Sequence, residues 1–204
     1  MKTFFIATSN TGKQKEIEKF SQAYGEGARV IFPGISNGIK VNESGSTFEE
    51  NARLKARAYH DEIGDNSFYY VGDDSGITIP ALNNEPGVFT RRWAGYEMTD
   101  EEILQYCLEK MKGLKGDDRK AIFQTVLAVI TPEGTTEYFR GKMVGHILEQ
   151  PLDAEPQAGF PFRSIFWVDG INRPIYELHA MPPEMRKGFL SHREDAFKQL
   201  FGRY

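Results

Sequence analysis

Three groups of residues carry side chains whose types and spacing could do chemistry. The first is Thr8-Ser9-Asn10-Thr11-Gly12-Lys13, a run of hydroxyls, an amide, a glycine and a lysine. Set between a strand and a helix N-terminus, such a run offers a bound anion backbone N–H groups, the positive end of a helix dipole and one cation. Helix capping by Ser9, Asn10 or Thr11 accounts for the same residues without a ligand. The second group is acidic: Glu43, Glu49, Glu50, Asp73 and Asp74. Magnesium takes one or two carboxylates, keeps waters and draws its remaining oxygens from a substrate phosphate. Glu50 also completes a capping box, Glu49 can pair with Arg53 one turn on, and Asp73 can form a turn. Glu43 and Asp74 have no such simple alternative. The third group comes late, in Gly159-Phe160-Pro161-Phe162 and in residues 187–193 with Lys187, His192 and Arg193. Aromatic faces stack on a nucleobase, and cationic donors read carbonyl oxygens on its edge. Core packing and helix-start charge are the competing explanations.

Spacing removes several other chemistries. Gly12-Lys13-Gln14 lacks the Ser or Thr of a P-loop, and position 7 is Ala where that loop needs its first Gly. The four histidines, His60, His146, His179 and His192, have no metal-ligand spacing. Gly72-Asp73-Asp74-Ser75-Gly76 is not a GxSxG nucleophile elbow.

The elements that must position these groups follow from periodicity. Residues 2–7 are short and apolar, which predicts a buried strand, and residues 14–24 carry Ile17 and Phe20 at helical spacing. A second strand is expected over 29–32, followed by a Gly- and Pro-punctuated loop that holds Glu43. Thr47-Phe48-Glu49-Glu50 has the form of a capping box opening a helix over 47–63. A strand over 68–72 should then end at Asp73-Asp74-Ser75-Gly76, with another over 77–80, so the two acids are expected at a strand end. A second capping box, Thr99 to Glu102, predicts a helix ending near Gly113. Residues 121–131, 135–139 and 142–147 read as antiparallel strands, and a third capping box at Ser191 to Glu194 opens a closing helix. The class is α/β with a mixed sheet, a single domain over residues 1–204 with two lobes split near Gly76.

Composition bounds the partners. The chain has 204 residues, 25 basic and 29 acidic, for a net charge of −4, so no general cationic surface exists for nucleic acid or anionic lipid. No stretch approaches the roughly 18 apolar residues of a membrane span. The single cysteine, Cys107, cannot form an internal disulfide, and a cytoplasmic location is expected.

Taken in order, the motifs resemble the inosine triphosphate pyrophosphatase family, enzymes that clear deaminated purine nucleotides. The likeness runs through Ala7-Thr8-Ser9-Asn10-Thr11-Gly12-Lys13, Thr47-Phe48-Glu49-Glu50-Asn51-Ala52 with Leu54-Lys55-Ala56, and Asp73-Asp74-Ser75-Gly76. It continues in Ala81-Leu82, Pro86-Gly87-Val88 and Ala94-Gly95, and ends with Ser191-His192-Arg193. The resemblance implies an elongated mixed sheet with flanking helices, two lobes around a substrate cleft, and a homodimer. It implies hydrolysis of ITP, dITP and XTP to the monophosphate and pyrophosphate. Thr8 to Lys13, with Ser75, would bind the triphosphate, and Glu43 and Asp74 would hold Mg2+. Asp74 and Lys13 would be catalytic, the former as general base. Phe160 would pack on the purine, Lys187, His192 and Arg193 would read the base, and Phe162 and Arg163 would belong to the substrate-binding set. Alternatives are the same reaction with altered base specificity, or a nucleotide-binding regulator without turnover.

One segment departs from the family pattern. Gly-aromatic-Gly-aromatic-Asp-Pro is replaced by Gly159-Phe160-Pro161-Phe162-Arg163-Ser164. Arg163 presents only donors where the family Asp presents only acceptors. Facing the base, it would favour XTP over ITP; turned away by Pro161, it would leave the usual breadth.

Overall fold

The computed structural model describes residues 1–34, 39–186 and 188–204, leaving aside the side chains of residues 179, 183 and 184. The strands are β1 (Lys2–Ile6), β2 (Ala28–Ile31), β3 (Phe68–Ile79), β4 (Glu85–Gly87), β5 (Lys120–Ile130), β6 (Thr136–Ile147), β7 (Phe166–Val168) and β8 (Arg173–Pro174). The helices are α1 (Thr11–Tyr24), α2 (Phe48–Ile63), α3 (Asp100–Lys110), α4 (Ile175–Ala180) and α5 (His192–Arg203). The strands form one mixed sheet in the order β2-β1-β3-β5-β6-β7-β8, with β4 added on β3. Among the described residues no helix is long and apolar enough to cross a membrane. The chain divides into two compact units, residues 1–75, 125–141 and 192–204 in the first, 76–124 and 142–191 in the second.

In the first unit β1 pairs in parallel with both β2 and β3. Side chains alternate across a strand, so each residue of β1 commits to one face. Phe4 and Ile6 pack with Ile17 of α1 and Ala196, Phe197, Leu200 and Phe201 of α5. Phe5 and Ala7 face the other way, onto Ala56 and Tyr59 of α2. The same alternation on β3 sends Val71 to the α1 and α5 face and Tyr70 to the α2 face. Carried forward along that strand, it places Asp73 and Asp74 on opposite faces.

The second unit has its own core, built from Ile77, Ile79, Ile103, Cys107, Met111, Met143, Phe162, Ile165, Phe166 and Leu178. Arg119 closes it. Its Nε donates to the Ile147 carbonyl at 2.6 Å, Nη1 to Met111 and Leu114 at 2.9 and 3.2 Å, and Nη2 to Leu148 at 2.7 Å. The sequence reading did not anticipate β4, β7, β8 or α4, all of which are short.

Three expectations are corrected. α1 begins at Thr11, not at residue 14, so Thr11, Gly12 and Lys13 form its first turn. β3 runs unbroken from Phe68 to Ile79, so the acids lie within a strand and not at its end. Buried carboxylates survive there because cations reach them, as described below. Residues 135–139 and 142–147 form one strand across Arg140-Gly141. Gly141 marks a close approach: a Cβ there would lie 1.9 Å from the His192 carbonyl oxygen of α5.

Candidate active site

β1 ends at Ile6 opposite Val71, while β3 continues through Asp73, Asp74 and Ser75. The chain therefore leaves β1 at Thr8 beside an extended β3, the position at the carboxyl ends of parallel strands where open α/β sheets bind ligands. Thr8 is half-buried, and Ser9, Asn10 and Thr11 are exposed. The Asn10 side chain caps α1, accepting from the Lys13 backbone N–H at 3.0 Å, and Gln14 Nε2 donates to the Thr8 carbonyl at 2.9 Å. Capping and an exposed helix start thus coexist in one loop.

On the α1 and α5 face, Asp73 is buried with its side chain fully out of water. Its Oδ2 meets Lys13 Nζ and Arg193 Nε, both at 3.2 Å, and its Oδ1 accepts from Ser75 Oγ at 2.6 Å. Burial alone would raise this carboxyl; Lys13, Arg193 and the Ser75 hydroxyl outweigh it and hold Asp73 well below the usual carboxylate range. Burial pushes Lys13 below the ordinary lysine range, against the pull of Asp73. Arg193 further donates through Nη1 to Glu16 Oε2 at 2.6 Å.

On the α2 face, Lys55 Nζ lies 2.7 Å from Asp74 Oδ1 and 2.8 Å from Glu43 Oε2, and donates to the Asp73 carbonyl at 3.2 Å. Asn51 Nδ2 donates to Asp74 Oδ2 at 3.4 Å. Gly72 lets α2 come this close, since a Cβ there would stand 1.9 Å from the Ala52 carbonyl oxygen. Burial raises the Asp74 carboxyl despite Lys55. Asp74 and Glu43 raise Lys55 in spite of its burial.

The donor set fits a hard divalent cation. Two carboxylates from separate segments already converge on one positive charge, the Lys55 ammonium. A metal at Glu43 and Asp74 would complete its shell from water and phosphate oxygens.

A Ham1 family pattern matches residues 4–203. The chain belongs to the Ham1 family. It is 35% identical over 197 residues to the dITP/XTP pyrophosphatase of Thermoanaerobacter pseudethanolicus, covering 96% of this chain and 92% of that one. It is 34% identical over 200 residues to the dITP/XTP pyrophosphatase of Bacillus subtilis, covering 98% and 96%. The HAM1 protein of Coxiella burnetii superposes with a TM-score of 0.79 at 31% identity, covering 100% of this chain and 98% of that one.

Within this Ham1 chain the sequence-predicted residues separate into three outcomes. Thr8 to Lys13, Glu43, Asp74 and Ser75 gather in the first unit. Arg193 joins them, but as a buried partner of Asp73, Glu16 and Ser75 rather than a surface donor. His192 is buried at the start of α5. Phe162 is 3% exposed in the core of the second unit, 6.1 Å from the Phe123 ring. Phe160 is half-buried in a loop anchored by the Gly159 N–H to Asp100 Oδ2 at 2.7 Å. Arg163 is engaged inside the second unit, with Nε on the Glu155 carbonyl at 3.2 Å and its guanidinium 5.8 Å over the Tyr176 ring. Lys187 lies outside the described residues.

Glu50 forms the expected capping box, its Oε2 accepting from Ser46 N at 2.7 Å and Thr47 N at 3.3 Å. Glu49 pairs with Arg140 at 2.9 Å, not with Arg53. Sequence reasoning gave no role to Asn51, Lys55 and Glu16. The signal was present: Asn51 and Lys55 are four apart beside the apolar stripe of α2, and Glu16 follows Lys13 by three.

Proposed function

We infer that this chain hydrolyses deaminated purine nucleoside triphosphates, ITP, dITP and XTP, to the monophosphate and pyrophosphate, removing them from the nucleotide pool. The observation that carries the reading is the convergence of Glu43 and Asp74 on one cation beside the α1 N-terminus and Lys13. Relatives named dITP/XTP pyrophosphatase over nearly the whole chain support the substrate class.

Thr8 to Lys13 would seat the triphosphate, with backbone N–H groups donating to phosphate oxygens and the Lys13 ammonium opposing the charge that builds on them. Mg2+ bound at Glu43 and Asp74 would neutralise phosphate charge and favour attack on the α-phosphorus. Asp74 would orient the attacking water and accept its proton, and Ser75 would stand beside the nucleotide. Phe160 offers an aromatic face to the purine. The reading extends to a cytoplasmic homodimer.

The test is release of pyrophosphate from ITP, dITP, XTP, GTP and ATP in the presence of magnesium. Cleavage of the first three with weak turnover of GTP and ATP is expected. Release of orthophosphate in place of pyrophosphate, or equal turnover of ATP and ITP, overturns the reading.

A further inference from the structure

Asp73 is a buried carboxylate that faces away from the Glu43 and Asp74 pair, with Lys13 and Arg193 between it and water. Its side chain has no exposure, whereas the Lys13 side chain keeps 20%. A single oxygen, Oδ2, receives two cations that arrive on different helices, Lys13 on α1 and Arg193 on α5. The other oxygen is fixed by Ser75 Oγ at 2.6 Å, and Ser75 meets Thr125 Oγ1 on β5 at 2.9 Å. Glu16, one turn after Lys13, takes Arg193 Nη1 and closes the ring. α1, α5 and β3 are thereby tied through one carboxylate, and Lys13 retains N–H donors and water-facing surface for an anion.

We propose that Asp73 is a positioning residue: it sets Lys13, through the shared Arg193 brace, at the place where triphosphate charge develops, without contacting substrate or metal. The proposal rests on the pyrophosphohydrolase reading and extends it to a residue on the opposite face of β3 from the metal pair. A pure fold role is the rival, since an unpaired buried cation is itself destabilising.

The experiment compares wild-type protein and Asp73→Asn in the full chain with ITP and magnesium. The kcat should fall about 100-fold, the scale of a misplacement near 1 Å, while the KM for ITP changes less than about threefold. A pH profile separates positioning from folding. Lys13 is lowered by burial, Arg193 and Lys55 and raised by Asp73 and Asp74; without the Asp73 charge its proton is lost at lower pH. The mutant-to-wild-type kcat ratio should therefore rise as pH falls from the alkaline side toward neutrality. A lower melting temperature with a pH-independent ratio, or kcat within threefold of wild type, overturns the proposal. If Asp73→Asn does not fold, Ser75→Ala keeps every charge and removes the bond that fixes the carboxylate. It should lower kcat about tenfold, the equivalent of one hydrogen bond, with the KM for ITP within about threefold; unchanged kcat, or a loss confined to KM, overturns the proposal. If the wild-type protein releases no pyrophosphate from ITP, the functional reading fails and takes the proposal with it. If the wild type turns over and Asp73→Asn matches it, the proposal alone fails.

Discussion

Arg119 in the second unit and Arg193 in the first are both guanidiniums taken out of water, 7% and 5% exposed, and they are satisfied in opposite ways. Arg119 spends its donors on the carbonyls of Met111, Leu114, Ile147 and Leu148, joining the chain after α3 to the end of β6. Arg193 meets carboxylates, Asp73 and Glu16, and shares the first with Lys13. Carbonyl partners make a clamp whose removal takes a donor from each of four carbonyls. Carboxylate partners make a network of formal charges that stays costly when folded and pays off only when a charged ligand arrives. The first unit carries its charge in the sheet itself; the second buries an almost wholly apolar core.

The comparison breaks most visibly at Asp74. Asp74→Asn keeps the shape of the side chain and removes the charge that converges with Glu43 on a cation. Acid–base and metal functions of this kind are worth roughly 10² to 10⁴-fold, so kcat should drop by at least that factor. Retention of near-normal turnover at saturating magnesium excludes Asp74 from the chemistry.

Arg119→Met should do the reverse. Four carbonyls lose donors, and the loss of stability should be on the order of 3 kcal/mol, with kcat per folded molecule unchanged. Cys107 supplies a reporter in the same core. Burial pushes its thiol up to about 12, so it should resist alkylation at neutral pH in the native protein. In Arg119→Met the thiol should become reactive at a lower denaturant concentration. Slower turnover with an intact core would show that Arg119 acts on the site and not on the second unit alone.

These two sites also mark what the sequence could and could not disclose. The α2 helix was legible because its cap and its apolar stripe, Phe48, Ala52, Ala56 and Tyr59, agree. The acids of β3 were misplaced because Gly72-Asp73-Asp74-Ser75-Gly76 has turn composition, and local composition does not report that Lys13, Arg193 and Lys55 arrive from three helices to neutralise it. Arg140-Gly141 misled for a related reason: the glycine serves the close approach of α5, not a turn. The phosphate loop and the Glu43 and Asp74 pair were legible as residue types; Lys55 and Asp73 acquire meaning only from strand alternation and tertiary contact. An aromatic in a motif looks the same whether it faces a ligand or a core, and Phe162 sits in the core of the second unit.

A smaller effect tests whether acids near the site divide between chemistry and local structure. Glu50 is exposed and committed to Ser46 and Thr47, so Glu50→Gln should leave kcat within about twofold, because Gln serves equally in a capping box. The hydrogen bonds from Ser46, backbone and side chain, hold the Glu50 carboxyl below its usual value. A depressed carboxyl stabilises the fold above its unfolded pKa and loses that contribution as pH falls through the folded one. Melting temperatures of wild type and Glu50→Gln should therefore converge as pH falls from about 6 toward about 3. A large loss of activity with unchanged melting would move Glu50 into the metal set.

The smallest expected effect concerns Arg163, where the second unit carries its one departure from the family pattern beside the half-buried Phe160. A guanidinium facing the purine would donate to the position-2 oxygen of xanthine and raise XTP over ITP. The structure instead gives its Nε to the Glu155 carbonyl and lays the guanidinium over the Tyr176 ring of α4, so the group is engaged within the second unit. Arg163→Asp should accordingly change the XTP-to-ITP ratio of kcat/KM by less than about threefold. That is well short of the roughly 10- to 100-fold that an unpaired buried group, at about 1–3 kcal/mol, would produce. The same variant should loosen residues 155–163, read as faster proteolysis within that loop, because it loses the carbonyl bond and the ring contact together. A tenfold or larger shift of the ratio toward ITP would place the Arg163 guanidinium at the base and make it, not the loop backbone, the selector between the two purines.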